Sequence, residues 1–354
     1  MYLRLSPYLF VFLWSSAFVS AKIGVDHATP FAFLFVRFSI VFVIFVAVGL
    51  WFSSTRQNTA TKDKAKEPLA LTILTGLLLH GGYLGASFYA MASGLGSALT
   101  ALIVSTQPLL TTALAVVLFH EKPRPIQWLG ICVGFVGVVV ALSPSLRMDT
   151  PTEGILASVI ALLAITIGTL IHKRISGRMS LVKSNAIQAL AASCFFLLLI
   201  QTVETPSITW HPNFIYALMW QVLAVSAGAY VILMILIKRG TMAATTSLLF
   251  LVPPTTAIIA NLALKEPLGP VTLLGFALAS LGFIWSRDIR PKPLSQAIFG
   301  FPSLTQQDIW PNFGEIILTT KAKRGIEFFL DNFQGFCDAL FTHSAQAIQK
   351  GTAN

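Results

Sequence analysis

The sequence predicts an all-α integral membrane protein with ten transmembrane helices, arranged as two inverted five-helix repeats. Three observations predict this fold class: the apolar composition, the number of apolar runs, and a similarity between the two halves of the chain. Of the 354 residues, 55% are hydrophobic and only 11% are charged, and the mean hydropathy is +0.76. Soluble proteins carry about 25% charged residues, so the composition excludes a water-soluble fold.

Ten apolar runs have the roughly 17 to 25 residues that a helix needs to cross a ~30 Å hydrocarbon core. Five of them precede a polar break at 143–153, namely 5–25, 31–51, 69–91, 97–119 and 126–142. Five follow the break, namely 154–171, 184–203, 213–237, 243–264 and 270–286. Helices are expected throughout because irregular backbone cannot face lipid, and the alternating pattern of a membrane barrel is not visible.

The basic residues predict the orientation of these spans. With the N-terminus inside, 16 Lys and Arg fall in cytoplasmic segments, and three fall outside, namely Lys22, Arg147 and Lys265. This asymmetry predicts a multi-pass protein of the plasma membrane, the inner membrane in a bacterium, with both termini in the cytoplasm. It also explains most of the net charge of +10, so no nucleic-acid partner is expected.

The first span has an alternative interpretation as a signal peptide. Arg4 precedes an apolar run that reaches Val19-Ser20-Ala21, which resembles a small-residue cleavage site. We favour a retained span, because removal would leave nine spans and spoil the symmetry between the halves.

The two halves align without a gap when the chain is shifted by 145 residues. Ten of the 40 positions from Ala98 to Gly137 are then identical, among them Pro108/Pro253, Glu121/Glu266, Pro125/Pro270 and Gly137/Gly282. Each half has five spans, an odd number, so the second copy is predicted to lie upside down in the membrane. Inverted repeats of this kind are typical of secondary transporters.

This duplication predicts the domain organisation. Residues 1–145 form the first five-helix repeat, residues 146–290 the second, inverted repeat, and residues 291–354 a cytoplasmic C-terminal extension. From Ile326 onward, apolar residues recur in the extension at helical spacing, which predicts an amphipathic helix on the membrane or on a partner; disorder is the alternative.

Several segments resemble EamA-type carriers of the drug/metabolite transporter superfamily. They are WSSAFVSAKIG at 14–24, PFAFLFVRF at 30–38, the stretch 96–140 that contains LFHEKP, and its counterpart 243–283 that contains ALKEP. The resemblance covers about residues 5–287. It implies a ten-helix carrier, often an exporter of amino acids, metabolites or drugs, with a central cavity between the two halves.

Two prolines mark candidate hinges. Pro108 and Pro253 are predicted near the middle of the fourth and ninth helices, where a missing N–H bends the axis. One interpretation is a tolerated kink, and the other is a paired break that opens polar backbone onto a binding site at the bilayer midplane. The polar neighbours that would line this site are Gln107, Thr111, Thr255 and Thr256.

Two residues well inside the spans carry charge or can acquire it near neutral pH. Arg37 lies about 10 Å below the outer end of the second span, so it either bonds structurally or attracts an anionic group such as a carboxylate. His80 in the third span is either a packing residue or a proton carrier. Acidic residues lie outside the middle of every span, and Glu121 and Glu266 are predicted to end helices and anchor loops.

The remaining candidates are aromatic or small. Trp14, Tyr83 and Tyr230 are predicted to face the cavity. The glycines at 130, 134, 137, 275 and 282 follow a spacing that lets helices approach closely, which predicts helix packing within the chain or contact in a homodimer.

The sequence therefore predicts a secondary transporter, most plausibly an exporter of a small organic metabolite such as an amino acid, or of a drug, by alternating access. A membrane-embedded receptor or scaffold and an intramembrane enzyme are the alternatives. An enzyme is not expected, because GxSxG, zinc-ligand and intramembrane Asp-pair motifs are not found. Neither a cofactor nor a metal is predicted, and the expected partners are the substrate and the bilayer.

Overall fold

The computed structural model describes residues 2–54, 68–107, 109–110, 125–146, 152–175, 178–229, 232 and 251–286. In this part of the chain all regular structure is helical, and the β-type pairing is an isolated antiparallel bridge between Ala28 and Ile208. The predicted all-α class is therefore confirmed. The C-terminal extension lies outside the described residues.

A described helix occupies each of the ten predicted spans. In the first half these are α1 (Tyr2–Val25), α2 (Pro30–Ser54), α3 (Leu69–Ala92), α4 (Ser97–Ser105) and α5 (Pro125–Leu146). In the second half they are α6 (Thr152–Ile175), α7 (Leu181–Thr202), α8 (Pro212–Met219, continued by the π-helical segment Trp220–Ala229), α9 (Val252–Leu264) and α10 (Pro270–Ser286).

Five of the described helices are long and apolar enough to cross a membrane, within α1, α2, α3, α6 and α7. Shorter apolar helices lie within α5, α9 and α10. Ten complete crossings stay a prediction, because parts of the fourth, eighth and ninth spans lie outside the described residues.

Helices α5 and α10, the last of each half, pack against each other through glycines. A Cβ atom on Gly137 would collide with the backbone of Gly275 and Ala279, and one on Gly282 would collide with the backbone of Gly130 and Gly134. The 145-residue shift converts the first contact into the second. Because residue numbers rise along one helix as they fall along the other, the two equivalent helices run antiparallel, as inverted repeats require.

The same relation appears elsewhere in the bundle. Helix α2 packs on its counterpart α7, where the hydroxyls of Ser39 and Ser193 lie 2.8 Å apart. Helix α4 packs on its counterpart α9. A core of aromatic rings fills the space between α2, α3, α7 and α8, and includes Phe33, Phe88, Phe196 and Phe214.

Two glutamates from the second half cap helices of the first half. The Glu204 carboxylate accepts hydrogen bonds from the amides of Phe31 (3.3 Å) and Ala32 (2.8 Å) at the start of α2. The Glu266 carboxylate accepts from Ser97 (2.8 Å) and Ala98 (3.4 Å) at the start of α4. The first amides of a helix lack partners within it and favour negative charge, so both contacts stabilise the junction. The prediction that Glu266 anchors a loop is confirmed.

The loops α1–α2 and α7–α8, at the predicted outer end, are also joined. The amide of Thr29 donates to the Ser207 carbonyl (2.9 Å), and the amide of Thr209 donates to the His27 carbonyl (2.8 Å). These bonds flank the bridge between Ala28 and Ile208. The two halves are therefore held together at this end by backbone hydrogen bonds as well as by the glutamates.

Candidate functional site

Helix α4 is interrupted two residues before the position of Pro108. It ends at Ser105, and Thr106 turns back on Ile103 through its amide (3.1 Å) and its hydroxyl (2.6 Å). Leu251, which the 145-residue shift places on Thr106, is the 3₁₀ residue at which the described part of α9 begins.

Pro253 is buried in the first turn of the described part of α9. Residues 243–250 of the predicted ninth span lie outside the described residues, so the position of Pro253 within the whole helix and its role as a hinge stay predictions. Pro108 lies outside the described residues, so its role as a hinge stays a prediction.

Helices α3 and α8 also share an irregularity, which the sequence did not predict. Helix α3 is π-helical over Leu77–Gly82, and the shift of 145 residues places this segment inside the π-helical segment Trp220–Ala229 of α8. π-Helical turns are rare and often occur at functional sites. The two segments supply His80 and Ser226, respectively.

Arg37 of α2 is buried and points to the π-helical segment of α8. Only 4% of the residue is exposed, and its Nη2 donates to the Ser226 hydroxyl at 3.2 Å. That hydroxyl donates in turn to the Gln221 carbonyl at 2.9 Å, so Ser226 is held in place. The Nε–H of Arg37 is buried without an acceptor. The guanidinium also lies 5.2 Å from the ring centroid of Phe38.

His80 and Tyr83 of α3 lie beside this arginine. The half-buried His80 ring is 4.9 Å from the Phe38 ring. The side chains of His80 and Tyr83 both lie within electrostatic range of Arg37. Tyr83 is buried and packs with Val104 of α4 and with α6. Three residues that the sequence singled out separately therefore come together.

A second group of polar residues lies between α4 and α6. Gln107 donates from Nε2 to the Thr169 hydroxyl at 3.1 Å. His172 follows Thr169 by one turn, interacts electrostatically with His80, and has a buried Nδ1 without a partner. Sequence reasoning missed both His172 and Ser226. His172 adjoins Lys173 and resembles a loop flank, and Ser226 is one of many hydroxyls within the spans.

The other candidates lie elsewhere or outside the described residues. Thr256 is fully buried, and its hydroxyl donates to the Ser15 carbonyl of α1 at 3.4 Å. Trp14 packs against a small apolar cluster at the junction of α1, α4 and α9, and Thr255 is half-buried. Thr111 and Tyr230 lie outside the described residues. Substrate binding by any of these residues stays a prediction.

In the described part of the chain, no acidic side chain forms an ion pair with Arg37. The acidic residues of this part are confined to loops and first helical turns, at Asp26, Glu153, Glu204 and Glu266. Asp26 pairs with Lys22 at 3.5 Å, and the two glutamates discussed above cap helices. Arg37 is therefore a buried cation without a carboxylate partner among the described residues.

An apolar crevice of about 450 Å³ lies on another side of α3, against α6 and α7. Its lining is almost entirely aliphatic and aromatic, with Tyr89 donating to Glu153 at 3.2 Å at one end. The crevice shares no lining residue with the polar cluster around Arg37. The cluster brings predicted site residues together, and it is therefore the candidate site.

The model of one protein family matches the chain twice. The family is described as the EamA-like transporter family, and the matches cover residues 6–143 and 152–287. The chain belongs to the EamA-like transporter family. The resemblance seen in the sequence is thus confirmed, and the family assignment makes this a multi-pass membrane protein with two copies of the family's repeat.

Individual relatives are transporters by name. The chain is 26% identical to the "Uncharacterized inner membrane transporter YedA" of Escherichia coli, over 77% of this chain and 84% of the relative. It is 27% identical to a "Probable amino-acid metabolite efflux pump" of Salmonella typhimurium, over 47% of this chain and 52% of that protein. The second alignment therefore spans about half of the named pump.

The fold is also similar to a crystal structure. The TM-score is 0.55 at 20% identity, and the match covers 80% of this chain and 96% of the other. At this identity the likeness shows the fold alone.

Proposed function

We propose that this protein is a secondary carrier that exports a small organic metabolite, such as an amino acid, or a drug, by alternating access of two inverted five-helix halves. Ten helices cross the membrane, and both termini lie in the cytoplasm. The observation that carries the proposal is the antiparallel contact of α5 with α10, in which Gly137 and Gly282 play equivalent parts. Two halves related in this way can exchange conformations, which turns an inward cavity into an outward one.

The irregular backbone supports a binding site at the centre of such a carrier. Helix α4 is interrupted at Thr106, and π-helical segments fall at equivalent places in α3 and α8. Irregular backbone at membrane depth is tolerated where it is buried in protein or lines a cavity. These elements supply Gln107, His80 and Ser226, so polar side chains and irregular backbone coincide.

Outward transport rests on one further support. One relative carries the words "efflux pump" in its name, and this chain aligns with about half of it. The contacts of Glu204, Glu266 and the loops at the predicted outer end fit the inward-facing state that any carrier of this kind adopts.

The alternatives lack a comparable observation. A receptor or scaffold has no need of inverted symmetry or of matched π-helical segments. An enzyme needs an activated nucleophile or a metal, and the polar cluster contains a guanidinium, two imidazoles, a phenol and amide or hydroxyl groups without a carboxylate to orient a base.

Transport by purified protein tests the proposal. The protein is reconstituted in liposomes loaded with unlabelled L-amino acids, and uptake of the same labelled compounds is followed. A carrier exchanges internal for external substrate, so we expect the labelled compound to accumulate transiently inside the liposomes, an effect called counterflow. A compound that binds the protein but shows no such exchange would contradict a carrier and favour a receptor.

Thiol labelling tests the location of the cavity. In a variant lacking Cys132, Cys194 and Cys337, a cysteine at Thr169 should react with a small charged thiol reagent, and substrate should slow the reaction. A cysteine at Val139, which is 62% exposed on the apolar face of α5, is the matched control and should react slowly. Equal labelling at both positions, without protection, would contradict this location of the cavity.

A further inference from the structure

We propose that Arg37 is the anchor of an anion site, and that the transported compound carries a single carboxylate that pairs with it. The proposal rests on the proposed function and names the substrate class for that site. Arg37, Ser226, His80 and Tyr83 define the site, from helices α2, α8 and α3.

The first argument is the missing counter-ion. Arg37 is 4% exposed and lies about 10 Å along α2 from its outer end, at a depth where a charged side chain is costly to insert. Such residues normally pair with an acidic residue or face a cavity. The acceptor found here, Ser226, is neutral, so the positive charge of Arg37 is not balanced by the described residues.

The second argument is the unused hydrogen-bonding capacity. A guanidinium has five N–H donors in a planar fork, and Ser226 accepts from one of them, whereas the Nε–H has no acceptor. A carboxylate fits this fork with two parallel hydrogen bonds. The side chain is also fixed in place, because Ser226 is tied to the Gln221 carbonyl and Phe38 lies against the guanidinium.

The third argument concerns the neighbours. Tyr83 and His80 bring an O–H and an imidazole near Arg37 but no negative charge. A cationic group would therefore be repelled, and an anion would gain a charge-assisted hydrogen bond. Among the described residues at this depth, Arg37 is the one side chain with a permanent positive charge. One positive charge is neutralised by a carboxylate, whereas a phosphate dianion would leave one negative charge unbalanced, so the site favours a carboxylate.

Short carboxylates are probes that need no knowledge of the rest of the substrate. The full-length protein in detergent is titrated with acetate and pentanoate, and with chloride at equal ionic strength, while its melting temperature is recorded. A ligand of the folded state raises the melting temperature by mass action. We expect stabilisation by the carboxylates beyond chloride, with apparent binding weakened about 10- to 150-fold in Arg37→Gln and less in Arg37→Lys.

The control variant is Arg178→Gln, which removes the same charge at an exposed position and should bind as the wild type does. If Arg37→Gln does not fold, Arg37→Lys still tests the site. It keeps the positive charge but lacks the planar fork, so it should weaken carboxylate binding while Arg178→Gln does not. Stabilisation that is equal for chloride and carboxylates, or unchanged in the Arg37 variants, would overturn the proposal.

Phosphate added to the same titration separates the two anion classes. Stronger stabilisation by phosphate than by pentanoate would overturn the carboxylate assignment. Counterflow that persists in liposomes containing Arg37→Gln would contradict the anion site at Arg37 but would agree with the carrier function. Carboxylate binding without counterflow of any bound compound would contradict the carrier function but would agree with the anion site.

Discussion

Arg37 and His80 illustrate what a single residue reveals before a structure is known. A charge inside an apolar run is conspicuous in sequence, because it is costly unless something compensates it. What compensates it is not conspicuous, since Ser226 lies 189 residues away in one of many segments that contain a hydroxyl. The sequence therefore identified the charged member of the site and missed its neutral partner.

The prediction for single residues concerns His80 and its neighbour His172. His80 adjoins Arg37 and is within electrostatic range of His172, so a proton taken up by either would be felt throughout the cluster. If His80 carries a coupling proton, His80→Gln should flatten the dependence of transport on pH. The measurement is counterflow in liposomes over a series of pH values.

The matched control for His80 is His211→Asn. His211 lies at the predicted outer end, where its Nδ1 accepts from the Asn213 amide at the start of α8, and asparagine can replace this cap. We expect the wild-type pH profile in this variant. A wild-type profile in His80→Gln as well would exclude His80 as the proton carrier and direct attention to His172 or to uncoupled exchange.

At the scale of helices, the duplication was visible because it preserves residues with backbone roles. Proline, glycine and glutamate recur at fixed offsets, and the structure uses them at helix starts, close helix contacts and caps. The π-helical segments were not visible, because Leu77–Gly82 has the same apolar character as an ordinary helix.

The contact of α5 with α10 yields a symmetric prediction. A methyl group at Gly137 or Gly282 would press on backbone atoms that cannot rotate away, so Gly137→Ala and Gly282→Ala should destabilise the protein alike, by about 1–3 kcal/mol each. Gly269→Ala is the control, because no atom lies within 4 Å of a Cβ placed there. Thermal unfolding in detergent measures all three. A large effect from one glycine and none from the other would contradict the equivalence of the two contacts.

For the molecule as a whole, the orientation in the membrane is a prediction from charge. Reporter fusions after Lys64, Arg124, Lys183 and Arg290 should report the cytoplasm, and fusions within 92–96 and 206–212 should report the outside. The reason is the excess of Lys and Arg in the segments placed inside. An external signal at Arg290 would contradict an even number of spans with the N-terminus inside.

Alternating access predicts that the outer-end contacts must break in every transport cycle. Ala28 and Ile208 belong to different halves and form an antiparallel bridge, in which paired Cα atoms lie about 4.5 to 5.5 Å apart, a spacing that a disulfide can span. In the variant without native cysteines, Ala28→Cys with Ile208→Cys should therefore join the halves on oxidation. We expect oxidation to abolish counterflow and a reductant to restore it, while carboxylate binding persists. Each single cysteine variant should transport under both conditions. Full counterflow in the oxidised double variant would mean that the two halves need not separate at this end, and the alternating-access mechanism would then be wrong for this protein.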